Sequence, residues 1–211
     1  LYLKYADSFV LPFFVNKHFQ YQEKVILSSI FLELMDLEQS GTYSHIQISK
    51  PNEMILELIK YNQLPGFIQQ SIRFGLGYFF TALCTNHSDI SGSYKISLSK
   101  GDSQDEFSVQ NNKKPLEQQR ILKKVSKLLN LSGAYNLPMI NKNFESHFYI
   151  GSSFPMSNTP INANDTDNLG RPKGSKRVYA VDSSIFPSIP ATTVGLIAMA
   201  NAHRIARSAE L

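Results

Sequence analysis

Tryptophan is absent from the 211 residues and cysteine occurs once. A lone thiol excludes an intrachain disulfide and any multi-cysteine metal cluster. Cys84 follows the apolar run 79–83, so it reads as a small buried hydrophobe; a nucleophilic role would need an activating base that the sequence does not identify. No uninterrupted apolar run reaches the ~18 residues of a membrane-spanning helix. Lys4 and Asp7 follow the first residue closely, so no signal peptide is expected and a soluble, cytoplasmic protein is favoured. The sequence opens on Leu1 without an initiator Met, which gives the expectation of a piece of something longer. Charge is scarce as well: 18% charged residues against 42% hydrophobic ones describe a packed globular chain rather than a disordered one. A net charge of +4 and a pI near 9.0 demand neither nucleic acid nor an anionic cofactor. A dinucleotide fingerprint is also missing. The nearest match, Gly75-Leu76-Gly77-Tyr78-Phe79-Phe80, lacks the third glycine and sits in an apolar run.

What is present reads as a mixed chain. Residues 25–37 are apolar enough for a helix or a buried strand, which periodicity alone does not separate. Residues 44–49 alternate, placing Ile46 and Ile48 on a core face and His45 and Gln47 on the other. Pro51-Asn52-Glu53 resembles a helix start, with Met54, Ile55, Leu58 and Ile59 at helical spacing. A second helix is expected over 69–83, weakened by Gly75 and Gly77. Residues 93–100 and 106–110 alternate around Gly101-Asp102-Ser103 and read as a β-hairpin. The clearest helix covers 115–129. Ile121, Leu122, Val125, Leu128 and Leu129 form its apolar stripe, and Arg120, Lys123, Lys124 and Lys127 form a solvated basic face rather than a nucleic-acid surface. Residues 158–176 form a long polar loop. Its Asp165-Thr166-Asp167 lacks the spacing and terminal Glu of a calcium loop, so no metal is expected. His18, His45, His87 and His203 show no ligand spacing.

The last third is the most informative. Residues 177–182 are β-branched and aromatic and read as a strand. Two prolines, Pro187 and Pro190, then stiffen an irregular crossing into a helix from Val194 to about Arg207, with Thr192 or Thr193 as its N-cap. A rigid loop thus delivers the positive end of a helix to one point. The run Arg177-Val178-Tyr179-Ala180-Val181-Asp182-Ser183-Ser184-Ile185-Phe186-Pro187-Ser188-Ile189-Pro190, continued by Met199-Ala200-Asn201-Ala202-His203-Arg204, resembles the closing signature of the glucose-methanol-choline (GMC) oxidoreductases. Gly151-Ser152-Ser153-Phe154-Pro155-Met156 and Thr166-Asp167-Asn168-Leu169-Gly170-Arg171-Pro172 are similar to elements of a bacterial-type subset of that family.

The resemblance implies an α+β chain. An antiparallel-sheet substrate domain with helices would cover 1–144, and 145–211 would supply a strand and a helix that complete an FAD-binding α/β domain otherwise mostly absent. It implies FAD as cofactor, an alcohol or sugar as substrate, hydride transfer to flavin N5, and a missing N-terminal FAD-binding segment as partner. Asp182 and Ser183 would lie beside the ribityl–pyrophosphate part of FAD, with the amides of Val194 and Gly195 near the pyrimidine edge. The family places a His, paired with His or Asn, over the flavin. Here Tyr149 and Thr193 occupy those positions, with His147 two residues earlier on the same face of an extended segment. His147 is the better proton acceptor and Tyr149 the polar contact. Thr193 can hydrogen-bond a substrate oxygen but is no base. These departures motivate the alternative of a non-catalytic binding domain on a degenerate GMC-type scaffold.

Overall fold

The computed structural model describes residues 1–19, 30–35, 43–50, 61–101, 105–136 and 149–209. Within them lies a mixed α+β fold of two antiparallel sheets and three α-helices. The strands are β1 (Tyr2–Tyr5), β2 (Ser8–Val15), β3 (Ile30–Met35), β4 (Tyr43–Ser49), β5 (Phe79–Asn86), β6 (Ser93–Ser99), β7 (Glu106–Asn112), β8 (Ala134–Asn136) and β9 (Ile150–Gly151). The helices are α1 (Gly66–Leu76), α2 (Pro115–Leu131) and α3 (Gly195–Ser208).

The larger sheet runs in the order β3-β4-β5-β2-β8. Its register explains its core. Phe9 faces Cys84, Leu11 faces Ala82 and Phe13 faces Phe80, while Ile46 and Ile48 meet Cys84 and Ala82 from the other side. Alternation sends these side chains to one face, where Ile121, Val125 and Leu129 of α2 cover them. Each such aliphatic or aromatic side chain contributes roughly 1.5–3 kcal/mol by leaving water. Cys84 is fully buried within this core, and burial pushes its thiol up to about 12. Pro12 is tolerated because β8 pairs only with residues 13–15, which leaves its side of β2 without a ladder to break.

The smaller sheet runs β7-β6-β1-β9. The chain passes from one sheet to the other between β1 and β2, and a turn after β5 secures that passage. The Asn86 amide donates to the Asp7 carbonyl at 2.7 Å, and the Asp7 amide donates to Ser91 Oγ at 3.0 Å.

The hairpin expected at 93–110 is β6–β7, and the helix expected at 115–129 is α2 with its predicted stripe largely inward, although Leu128 stays exposed. The open choice at 25–37 resolves to strand over Ile30–Met35, exposed rather than buried. The helix expected over 69–83 is corrected. It ends at Leu76, and the chain turns through Gly77 and Tyr78 into β5. A Cβ at Gly77 would meet the Phe19 carbonyl oxygen at 2.8 Å as well as the His18 ring, so the turn needs glycine. The helix start expected at 51–59 lies outside the described residues.

After β9 the chain is irregular but not loose. The amides of Ser152, Phe154 and Met156 donate in turn to the carbonyls of Ser183, Ser184 and Ile185 at 3.0, 2.8 and 2.7 Å. The strand expected over 177–182 is a second correction: the segment joins neither sheet. Its Ala180 amide donates instead to the Gly170 carbonyl at 2.9 Å, and its Val178 amide to Ser175 Oγ at 3.2 Å. A β-prone run becomes a strand only where a neighbour offers a ladder. Ala6, Ile185, Phe186, Ile189 and Ile205 then form a second, smaller core under α3.

Candidate functional site

The site begins with the approach to α3. Pro187 and Pro190 flank Ile189, which is fully buried, and the intervening backbone is pinned from the sheet side. The Ile189 amide donates to Ser88 Oγ at 2.8 Å, and the Ser88 amide donates to the Ile189 carbonyl at 2.9 Å. Lys4 Nζ reaches both the Pro187 carbonyl at 2.9 Å and Asp89 at 3.0 Å. The crossing is therefore held by the turn that follows β5. Beside it, His87 lies below its ordinary 6.5, lowered by burial, with Asp89 pulling upward and Lys4 adding to the fall.

This crossing hands the chain to α3. Neither threonine caps it. The N-cap is Val194, in a helical conformation, and no side chain accepts from the first turn. Thr193 is exposed. Gly195 is exposed too, and a Cβ there would meet nothing within 4 Å. Among the described residues nothing closes the positive end of the helix, where the amides of Val194 and Gly195 lie. These are the two residues that the resemblance assigns to the flavin edge.

Asp182 and Ser183 are committed more locally. Asp182 caps the 3₁₀ turn Ser183–Ile185, accepting from the Ser184 amide at 3.1 Å and also from the Ser184 hydroxyl. Ser183 Oγ donates to the Ile150 carbonyl at 2.9 Å. That contact ties the turn to β9 and hence to Tyr149, whose carbonyl accepts from the Ala6 amide at 3.0 Å. The Tyr149 ring is half-buried and packs against the second core, as does Val194. The fold thus packs Tyr149 and Val194 against one apolar cluster and ties Ser183 to the strand that follows Tyr149, while Asp182, Thr193 and Gly195 are exposed. His147 lies outside the described residues.

Other candidates fall elsewhere. Asp165 and Asp167 line a shallow cavity of about 320 Å³ together with Arg171 and Lys173. Its carboxylates are already engaged. Asp165 accepts from the amides of Asn162 at 2.9 Å and Ile161 at 3.0 Å, which hold it below the usual carboxylate range against the opposing effect of burial. Asp167 is pushed up by partial burial, but hydrogen bonds from the Arg171 backbone and side chain and from the Leu169 amide outweigh this and carry it below its ordinary value. Among the described residues no group of three His, Cys, Asp or Glu is placed to hold a metal ion.

One pair escaped the sequence reading. His45 Nδ1 sits 2.5 Å from Glu33 Oε1, with the imidazole stacked on Phe31 at 5.5 Å. The two residues are direct partners across β3 and β4, a register that no local sequence signal announces. His18 stacks on Phe74 at 5.2 Å, and His203 is exposed on α3. No helix among the described residues is long and apolar enough to cross a membrane.

No family model matches the chain, and no curated protein matches it either.

Proposed function

We propose that the chain is the substrate-side and C-terminal part of an FAD-dependent GMC-type oxidoreductase that acts on the CH–OH group of an alcohol or sugar. The supporting observation is the uncapped end of α3, open at Gly195 and delivered by a proline-flanked crossing that Ser88 holds in place. In this reading 1–144 forms the substrate domain, and 145–211 completes an FAD-binding α/β domain whose glycine fingerprint comes from a separate N-terminal segment. FAD, when bound, supplies the acceptor for the substrate hydride at its N5 atom.

The chain's own residues have separable roles. The amides of Val194 and Gly195, backed by the helix dipole, stabilise negative charge at the pyrimidine edge. Asp182 and Ser183 lie along the ribityl–pyrophosphate side and keep the 3₁₀ turn in shape. His147 accepts the substrate hydroxyl proton, Tyr149 is a polar contact beside it, and the exposed Thr193 hydroxyl hydrogen-bonds the substrate oxygen. A second reading, a binding domain that has kept the scaffold without the chemistry, draws on the packing of the Tyr149 ring in an apolar cluster.

The test uses the intact parent protein. The oxidoreductase reading expects it to be yellow, and expects candidate alcohols to bleach the flavin. Gly195→Val, which fills open space without touching the core, should weaken FAD binding about tenfold while leaving the circular dichroism unchanged. A parent that stays colourless after reconstitution with FAD would overturn the flavoenzyme reading. A yellow parent that no alcohol reduces would leave the binding domain.

A further inference from the structure

The hairpin β6–β7 has two unlike faces. Ile96, Leu98, Phe107 and Val109 lie on one and Lys95, Ser97, Ser108 and Gln110 on the other. Leu98 is 68% exposed, Phe107 65% and Val109 54%, so among the described residues nothing covers the apolar face. β7 is also the last strand of its sheet, and all seven of its residues are exposed. Edge strands are usually blunted by proline, a bulge or mid-strand lysine; β7 carries none of these. The Glu106 carbonyl lies 3.4 Å from Ser99 Oγ and so points toward β6. Alternation then turns the N–H and C=O groups of Phe107, Val109 and Asn111 outward, toward an edge that no described strand fills.

We propose that β7 is the pairing edge for a second copy of this chain, joined antiparallel about a two-fold axis at Val109. The charge pattern selects that register. With Val109 opposite its own copy, Phe107 faces Asn111 and Glu106 faces Asn112. At each end Asp105 then faces the partner copy's equivalent of Lys113, a complementary pair made twice by symmetry. A shift that centres the pairing on Asn111 would set Asp105 against Glu117 and drive the edge into α2, which begins at Pro115. In the Val109 register about six outward backbone groups on each copy find partners, and the two four-stranded sheets become one eight-stranded sheet.

The register makes the test specific. Residues directly opposite across an antiparallel pair lie about 5.5 Å apart at Cα, within disulfide reach, and the native Cys84 is fully buried and silent. In the full chain, Val109→Cys should form a covalent dimer under mild oxidation. Asn112→Cys would be separated from its copy by roughly 20 Å of strand and should cross-link at least tenfold more slowly. By sedimentation, Asp105→Lys should raise the dimer dissociation constant about tenfold, and Asp105→Lys with Lys113→Asp should restore it. All four positions are exposed, so these changes leave the fold intact. The proposal is overturned if the wild-type chain is monomeric at all concentrations, if the two cysteine variants cross-link equally, or if the double charge swap fails to restore what the single swap loses.

Discussion

The two cores of the molecule are built on different principles. The sheet core is regular: five strands in fixed register and one amphipathic helix, joined by apolar contact. The C-terminal core is small and irregular, and its backbone is held by side-chain hydroxyls, carboxylates and prolines. Thr166, completely buried, donates from Oγ1 to the Phe154 carbonyl at 3.0 Å; Ser152 Oγ donates to Pro187 at 3.0 Å. Hydrophobic burial tolerates small shifts, whereas a buried hydrogen bond must be made or its full desolvation cost is felt. The first core therefore provides stability, and the second provides position for the end of α3.

The contrast is sharpest in the response to lost volume. Ile121→Ala in the sheet core should cost about 2–5 kcal/mol and lower the whole unfolding transition seen by circular dichroism. Ile185→Ala removes an equally buried side chain, but from a smaller cluster of apolar neighbours. Its loss should fall at the lower end of that range and appear as faster amide exchange confined to 183–191. Equal global losses in both variants would erase the distinction.

A middle-sized effect should follow from Ser88→Ala. The Ile189 amide would lose its acceptor inside the protein, at a cost of roughly 1–3 kcal/mol. Exchange at 186–195 should rise while β2, β4 and β5 stay protected.

The smallest effect is in pH, and it takes one sign at the turn after β5 and the polar loop and the opposite sign in the sheet core. His87, Asp165 and Asp167 all hold protons less tightly in the fold than they ordinarily would. Their contribution is thus present above the ordinary value and lost as pH falls through it: below 6.5 for His87, and below 3.8 for the carboxylates. Cys84 behaves in reverse. Its contribution is complete below 9.0 and is lost as pH rises toward about 12. Amide exchange across a pH series should show the turn after β5 and the polar loop weakening first in acid and the sheet core weakening in alkali.

The same contrast explains what the sequence made legible. Regular elements with a clean period were readable: the alternation of β4 and of the hairpin, and the stripe of α2. The run 69–83 was not, because a continuous apolar stretch fits helix or strand equally, and the weakness seen at Gly75 and Gly77 was the boundary itself. β1 and β2 went unassigned in an aromatic opening whose pairing partners lie some eighty residues further on. At the site, the prolines foretold a stiff crossing and the small residues foretold α3. The Ser88 contact could not be foreseen, since nothing local marks one serine in a turn as the holder of a distant backbone. The 177–182 run misled for the opposite reason: its composition was that of a strand, and its composition could not reveal which neighbour would pair with it.

The hook between Ser88 and Ile189 spans 101 positions of chain, which imposes an order of assembly. Closing so long a loop is entropically costly until something waits at the far side. The turn after β5 must therefore take shape before the tail can seat, so the N-terminal end of α3 settles only once the sheet that carries that turn is in place.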